Sequence, residues 1–149
     1  MKKNLSLIWM FLLFVAAAPI VALDQPDAAH QVTPEQLAQE LQTGKQAPLI
    51  LNVGPRALYD QAHIRGSEYM GAASTEEGQT KLRARVKALP KKTAIVVYCG
   101  CCPWDHCPNV GPAIAELRQL GFTHVKALFV AHNIGTDWVE KGYPVEKGK

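Results

Sequence analysis

Cysteine is absent from this 149-residue chain before position 99 and after position 107. That confinement argues against the framework of disulfides between distant segments that holds many small exported domains together. Bridges inside one short loop would close only small rings and stabilise little. Basic residues are missing from the same region: no lysine or arginine occurs from Gly100 to Val110, and no cysteine is followed by an arginine six positions later. The Cys-x5-Arg ring by which cysteine phosphatases hold a phosphoryl group is therefore excluded. A basic excess is lacking as well. The chain has 16 Lys and Arg against 13 Asp and Glu, and without Lys2 and Lys3 the balance is 14 to 13. This argues against nucleic acid as a partner, since a phosphate backbone calls for a basic face. No internal repeat or low-complexity run is visible, and 149 residues leave room for one domain.

What the chain does have begins at its N-terminus. Met1-Lys2-Lys3-Asn4 is positively charged, residues 5–18 form an uncharged apolar run containing Trp9, Phe11 and Phe14, and Pro19-Ile20-Val21-Ala22 leads into the polar Asp24-Gln25-Pro26-Asp27. Charged start, apolar middle and small-residue end are the order of a secretory signal, with a cut expected after Ala22. An uncleaved anchor is the alternative, because residues 5–23 approach the ~20 apolar positions that span a bilayer; Pro19 and the short apolar core favour cleavage. With no cysteine near the cut, a lipid-modified N-terminus is not expected. The expectation is a signal peptide at 1–22, a linker at 23–32 and one domain at 33–149. The mature protein would be periplasmic or secreted, or, if uncleaved, held at the membrane by that segment and facing the periplasm.

Residues 94–110, AIVVYCGCCPWDHCPNV, organise the rest. The run 94–98 is apolar and β-branched, as a strand buried on both faces is. Cys99, Cys101, Cys102 and Cys107 follow within nine positions, and residues 112–120 then carry apolar residues at helical spacing up to Gly121. A thiol between a buried strand and a helix N-terminus is pushed toward thiolate by the helix dipole and backbone donors, and thiolate is the reactive form. Upstream, Thr33-Pro34-Glu35-Gln36 has the form of a capping box with proline at the first helical position, and Leu37 and Leu41 continue a short helix to Gly44. Residues 48–53 make a second buried strand, 56–62 one or two helical turns, 68–70 a short strand, and 75–89 a helix capped by Thr75. A strand at about 125–130 and a short helix from Asn133 complete an alternation that predicts a mostly parallel sheet covered on both faces.

From Pro34 to Val145 the chain resembles the rhodanese-like domain, a sulfurtransferase fold. Four features carry the resemblance in order: Leu51-Asn52-Val53-Gly54 at a strand end, Tyr59 with the turn His63-Ile64-Arg65-Gly66, the strand Val96-Val97-Tyr98-Cys99, and the closing Gly135, Trp138 and Gly142-Tyr143-Pro144-Val145. The resemblance implies an α/β fold of three layers, α/β/α, with a mostly parallel central sheet of about five strands. It also implies that Cys99 is the nucleophile that carries a persulfide inside a loop of inward-pointing amides. The loop is longer than the family's, and Asp105 stands where an arginine often closes it. Asn52 and Gly54 replace the family's Asp and Arg, which is expected to weaken a support of the loop.

Three readings of the loop remain open at this point. In one, Cys99 takes sulfur and Cys101, Cys102 or Cys107 resolves it, with His106 lowering a cysteine pKa and Gly100, Trp104 and Asp105 contacting the substrate. In another, the loop is a thiol–disulfide element, although Cys102 and Cys107 have four residues between them rather than two. In the third, the sulfurs and His106 bind a soft metal such as Cu(I) or Zn. The first is favoured, with no cofactor, no resident metal, a monomeric state, and as partners a small sulfur donor or a protein thiol acceptor. His63 is expected to hold its turn through a backbone hydrogen bond, and Trp138 to pack in the core.

Overall fold

The computed structural model describes residues 30–44 and 47–148; the expected signal segment and the linker up to position 29 lie outside the described residues. The first strand, β1 (Gln31–Val32), forms inside what the sequence reads as linker. Its assignment as linker is corrected for these two residues: Val32 is buried, and its carbonyl accepts the Phe129 N–H at 2.9 Å. Helix α1 (Pro34–Thr43) has the expected capping box, with Thr33 Oγ1 accepting from Gln36 N at 3.2 Å and Gln36 Oε1 from Thr33 N at 3.0 Å. It ends at Gly44, whose φ of 64° only a residue without a Cβ adopts freely.

Strand β2 (Leu49–Asn52), helix α2 (Arg56–Gln61) and strands β3 (His63–Ile64) and β4 (Glu68–Tyr69) follow. Helix α3 (Glu76–Val86) is capped by Thr75 and stops short of the expected Leu89. Strand β5 (Ile95–Tyr98) leads to the thiol loop, which contains one 3-10 turn (Trp104–His106), and helix α4 (Val110–Gln119) starts two residues earlier than the apolar spacing suggests. Strand β6 (Val125–Leu128), a π-helical turn (Gly135–Val139) in place of the expected short α-helix, and β7 (Val145–Glu146) close the order.

The sheet order is β1-β6-β5-β2-β4, and every pairing in it is parallel; β3 and β7 form a separate antiparallel pair. Side chains alternate across the sheet as strand geometry requires. Leu51, Ile95, Val97, Val125 and Ala127 face α3 and α4, while Ile50, Val96, Tyr98 and Leu128 pack with α1 and the fully buried Trp138. The expected α/β architecture of a five-stranded, parallel sheet flanked by helices is therefore what the chain forms. From β2 the chain moves outward to β4, and from β5 it moves the other way to β6, so the order reverses between β2 and β5. In open α/β sheets the crevice beyond the carboxyl ends of strands at such a reversal is where ligands bind. No helix among the described residues is long and apolar enough to cross a membrane.

Candidate active site at the thiol loop

Cys99 follows β5 at that reversal, and the end of β2 lies against it. A Cβ on Gly54 would sit 2.4 Å from the Cys99 carbonyl oxygen and 2.9 Å from its sulfur, so only glycine lets the two strand ends close up. Asn52, buried at the end of β2, joins them: its Nδ2 donates to the Cys99 carbonyl at 3.3 Å and its Oδ1 accepts from Gly54 N at 3.1 Å. Asn52 and Gly54, which stand in place of the family's Asp and Arg, themselves join the two strand ends here.

At Gly100 the backbone takes φ +84°, and a Cβ there would lie 2.9 Å from the Ile134 Cβ. Ile134 N–H donates to the Gly100 carbonyl at 3.0 Å. This turn returns the chain so that Cys101 Sγ is 3.1 Å from Cys99 Sγ, with Cys102 Sγ 3.0 Å beyond Cys101 Sγ. The sulfurs of Cys99, Cys101 and Cys107 all lie within 4.8 Å of one another, and all four cysteines are free thiols. The structure therefore brings the four sequence-predicted cysteines together. Cys99 is 3% exposed and the other three are half-buried. Trp104 closes the outside: its N–H donates to the Val130 carbonyl at 2.9 Å, and its ring lies 5.8 Å from that of Phe129. The space that Trp104 lines with Cys99, Cys102 and Cys107 has no room for a water molecule.

Asn109 is the residue that sequence reasoning missed. It precedes α4 and is 5% exposed, yet its side chain makes no capping bond to the helix. Instead Oδ1 accepts from Ser74 N at 3.0 Å and Nδ2 approaches Cys99 Sγ at 3.5 Å. The available signal was an asparagine at the end of a thiol loop. Its role stayed hidden because an asparagine there reads as an ordinary N-cap. Around the same sulfurs the thiols compete for charge. Contact with Cys99, then burial, holds the Cys107 thiol far above its ordinary value, against the opposing pull of the Asn109 and Val110 backbone N–H groups. Burial pushes Cys101 up to about 11 and raises Cys102, where the Asp105 carboxylate adds to the rise.

The role expected for His106 is corrected. Its side chain is 78% exposed and Nδ1 meets Asp105 Oδ1 at 2.9 Å, so the ring belongs to that surface pair and not to the group of clustered sulfurs. His63 does hold its turn, with Nδ1 2.8 Å from the Tyr59 carbonyl and its ring stacked 3.8 Å from the Tyr59 ring. Trp138 is in the core, its Nε1 donating to the Pro144 carbonyl at 2.9 Å. A wider cavity of ≈ 580 Å³ near His30, Pro48, Ile95 and His124 opens at the amino ends of the strands and includes no cysteine. The chemistry within reach of the loop is exchange between sulfur atoms in contact, with one amide donor aimed at the innermost sulfur.

Comparison with known proteins agrees with this geometry. The family described as rhodanese-like domain matches residues 33–128. A crystal structure of the Alr3790 protein from Anabaena sp. is 26% identical with a TM-score of 0.61, the match covering 78% of this chain and 92% of that one. The BH2092 protein from Bacillus halodurans superposes with the same TM-score of 0.61 at 23% identity, over 79% of this chain and 77% of that one. A structure of an EanB variant, described as a cysteine persulfide in a tetrahedral intermediate state with ergothioneine, shares the fold at 19% identity and a TM-score of 0.60, over 78% of this chain and 28% of that one. No curated protein matches the chain significantly.

Proposed function

Because the chain belongs to the rhodanese-like domain family, we propose that it is a sulfurtransferase that carries sulfane sulfur on Cys99 as a persulfide. The Cys99 thiolate attacks the outer sulfur of a donor persulfide. A bond forms between the two sulfurs, the donor's own sulfur–sulfur bond breaks, and the donor thiolate leaves with the electron pair. An acceptor thiolate then attacks the outer sulfur on Cys99, and Cys99 leaves as thiolate. Nothing is oxidised or reduced over the cycle. Cys101, in sulfur contact at 3.1 Å and half-buried, is the thiol that exchanges sulfur with Cys99 toward solvent.

The observation that carries this reading is the Cys99 sulfur, seated where the strand order reverses, with the Asn109 amide at 3.5 Å and a second thiol in contact. Thiosulfate is the poorer donor. A doubly charged anion would meet no Lys or Arg from Gly100 to Val110, in a loop that carries the Asp105 carboxylate. A persulfide or polysulfide, small or on a protein, fits the apolar surroundings better.

Intact-mass measurement on the full chain, stripped of metal by a chelator and incubated with polysulfide, tests this. The native protein gains about 32 Da, the mass of one sulfur atom, and Cys99→Ser does not. An adduct of the same yield on Cys99→Ser overturns the assignment. We place this activity in the periplasm, on the strength of the N-terminal pattern; recovery of the protein with Leu23 as its first residue from the periplasmic fraction is the expected result.

A further inference from the structure

We propose that the loop also binds a thiophilic metal ion of the Cu(I) class through the sulfurs of Cys99, Cys101 and Cys107. This does not depend on the sulfur-transfer reading. Three sulfurs within 4.8 Å of one another enclose a point that a metal would reach with bonds of about 2.3 Å. A trigonal arrangement with such bonds separates the sulfurs by roughly 4 Å. The 3.1 Å contact between Cys99 and Cys101 therefore has to open by less than about 1 Å, which a thiol on the turn at Gly100 can supply.

The donor set selects the metal. Only sulfur is present: His106 is bound to Asp105, and no carboxylate or imidazole lies in the cluster. Zn(II) asks for a fourth ligand, usually a protein group in a closed site or a water in an open one. Among the described residues the set of mutually close sulfurs has three members, and Cys102 Sγ, 3.0 Å from Cys101 Sγ, lies outside it. Soft Cu(I) accepts low coordination by thiolates alone.

No Lys or Arg lies from Gly100 to Val110, so within the loop it is a bound cation that offsets negative charge on the clustered sulfurs. What remains after one positive charge is opposed by the Asn109 amide on Cys99 and by the N–H groups that begin α4 beside Cys107. Rigid parts hold two of the ligands: Asn52 and Gly54 set Cys99 at the end of β5, and Cys107 lies just ahead of α4. On binding, each ligand thiol gives up its proton, and the copper stays Cu(I), so no oxidant or reductant is required.

The test is anaerobic titration of the reduced full chain with Cu(I) supplied as its acetonitrile complex, in competition with a chromogenic Cu(I) chelator and with a parallel Zn(II) titration. One Cu(I) per chain is expected, with a sulfur-only shell of about three atoms near 2.3 Å by X-ray absorption. Cys101→Ser and Cys107→Ser each weaken binding by about 100-fold or more while circular dichroism stays native, and Cys102→Ser stays within about threefold. Absence of retained copper, affinity unchanged in Cys101→Ser and Cys107→Ser, or Zn(II) held as tightly as Cu(I) overturns the proposal. Sulfur transfer is read separately on the metal-free native protein, which is expected to take the Cys99 sulfur adduct with no copper present. Copper binding in a protein that takes no sulfur would sink the transferase reading alone.

Discussion

Asn109 divides its side chain between two duties, and one substitution separates them. Asn109→Asp keeps the oxygen that accepts the Ser74 N–H but replaces the donor at Cys99 with a carboxylate oxygen. A negative charge beside the sulfur opposes its thiolate, and one unit of pKa is already tenfold in thiolate fraction. Sulfur loading at neutral pH should slow by about tenfold or more, read as the rate at which the mass adduct grows; an unchanged rate would show that the amide does not act on the sulfur. Gly54 is under a different constraint. A methyl group placed 2.4 Å from the Cys99 carbonyl oxygen and 3.1 Å from its carbon meets backbone, which cannot swing away as the end of a flexible side chain could. Gly54→Ala should cost about 2–3 kcal/mol in chemical denaturation by overpacking, and a cost below about 0.5 kcal/mol would mean that the strand ends separate easily.

Among the elements, the π-helical turn ties the far face of the sheet to the thiol loop. Trp138 fills the core with no exposed surface, packed edge-on to Tyr143 at 5.2 Å, while Ile134, just before the turn, donates to the Gly100 carbonyl and lies against Gly100. Trp138→Ala is expected to cost about 3–5 kcal/mol, as deletion of a large buried aromatic does. It should also loosen Gly100, so alkylation of Cys99 under native conditions should become faster. Loss of stability with unchanged alkylation would show that the turn and the loop are mechanically separate. The 3-10 turn at Trp104–His106 has the opposite character. Its Trp104 is tied to Val130 and Phe129 while His106 and Asp105 pair on the surface, so one end shields the sulfurs and the other faces water.

At the scale of the whole molecule, β5 serves both faces of the sheet. Cys99 belongs with α3 and α4, and Tyr98 turns the other way, where its hydroxyl accepts from Ile64 N at 3.2 Å and lies 3.0 Å from Ser67 Oγ. Burial is the main reason that the Tyr98 phenol is pushed up to about 12. The neutral phenol is the form the folded state favours. Its contribution is complete below the unfolded value of about 10 and is lost as pH rises from there toward 12, roughly 2–3 kcal/mol in all. Tyr98→Phe should lower stability at pH 8 by about 1–2 kcal/mol, since the Ile64 N–H loses its partner. It should also flatten the fall in stability between pH 10 and 12. Denaturation at pH 8 and pH 11 checks both, and an equal alkaline fall in the two proteins would contradict the assignment.

Much was legible without coordinates because neighbours in the chain build it. The capping box at Thr33 and Gln36, the apolar run of β5 and the confinement of the thiols to one loop are all local, and their order was enough to place the chain in its fold family. Local sequence could not show β1 or β7, which are two residues each and exist because Val32 meets Leu128 and Val145 meets Ile64 across the fold. Nor could it assign Gly54, Asn52 and Asn109 to the Cys99 sulfur and carbonyl, since those contacts join positions from 10 to 47 residues apart. The presence of clustered thiols at the end of a buried strand was written in the chain. Which groups would stand around Cys99, an amide and two more sulfurs where a histidine was expected, was decided only when β2, β5 and α4 met at one end of the sheet, because contact between distant residues depends on packing and not on spacing.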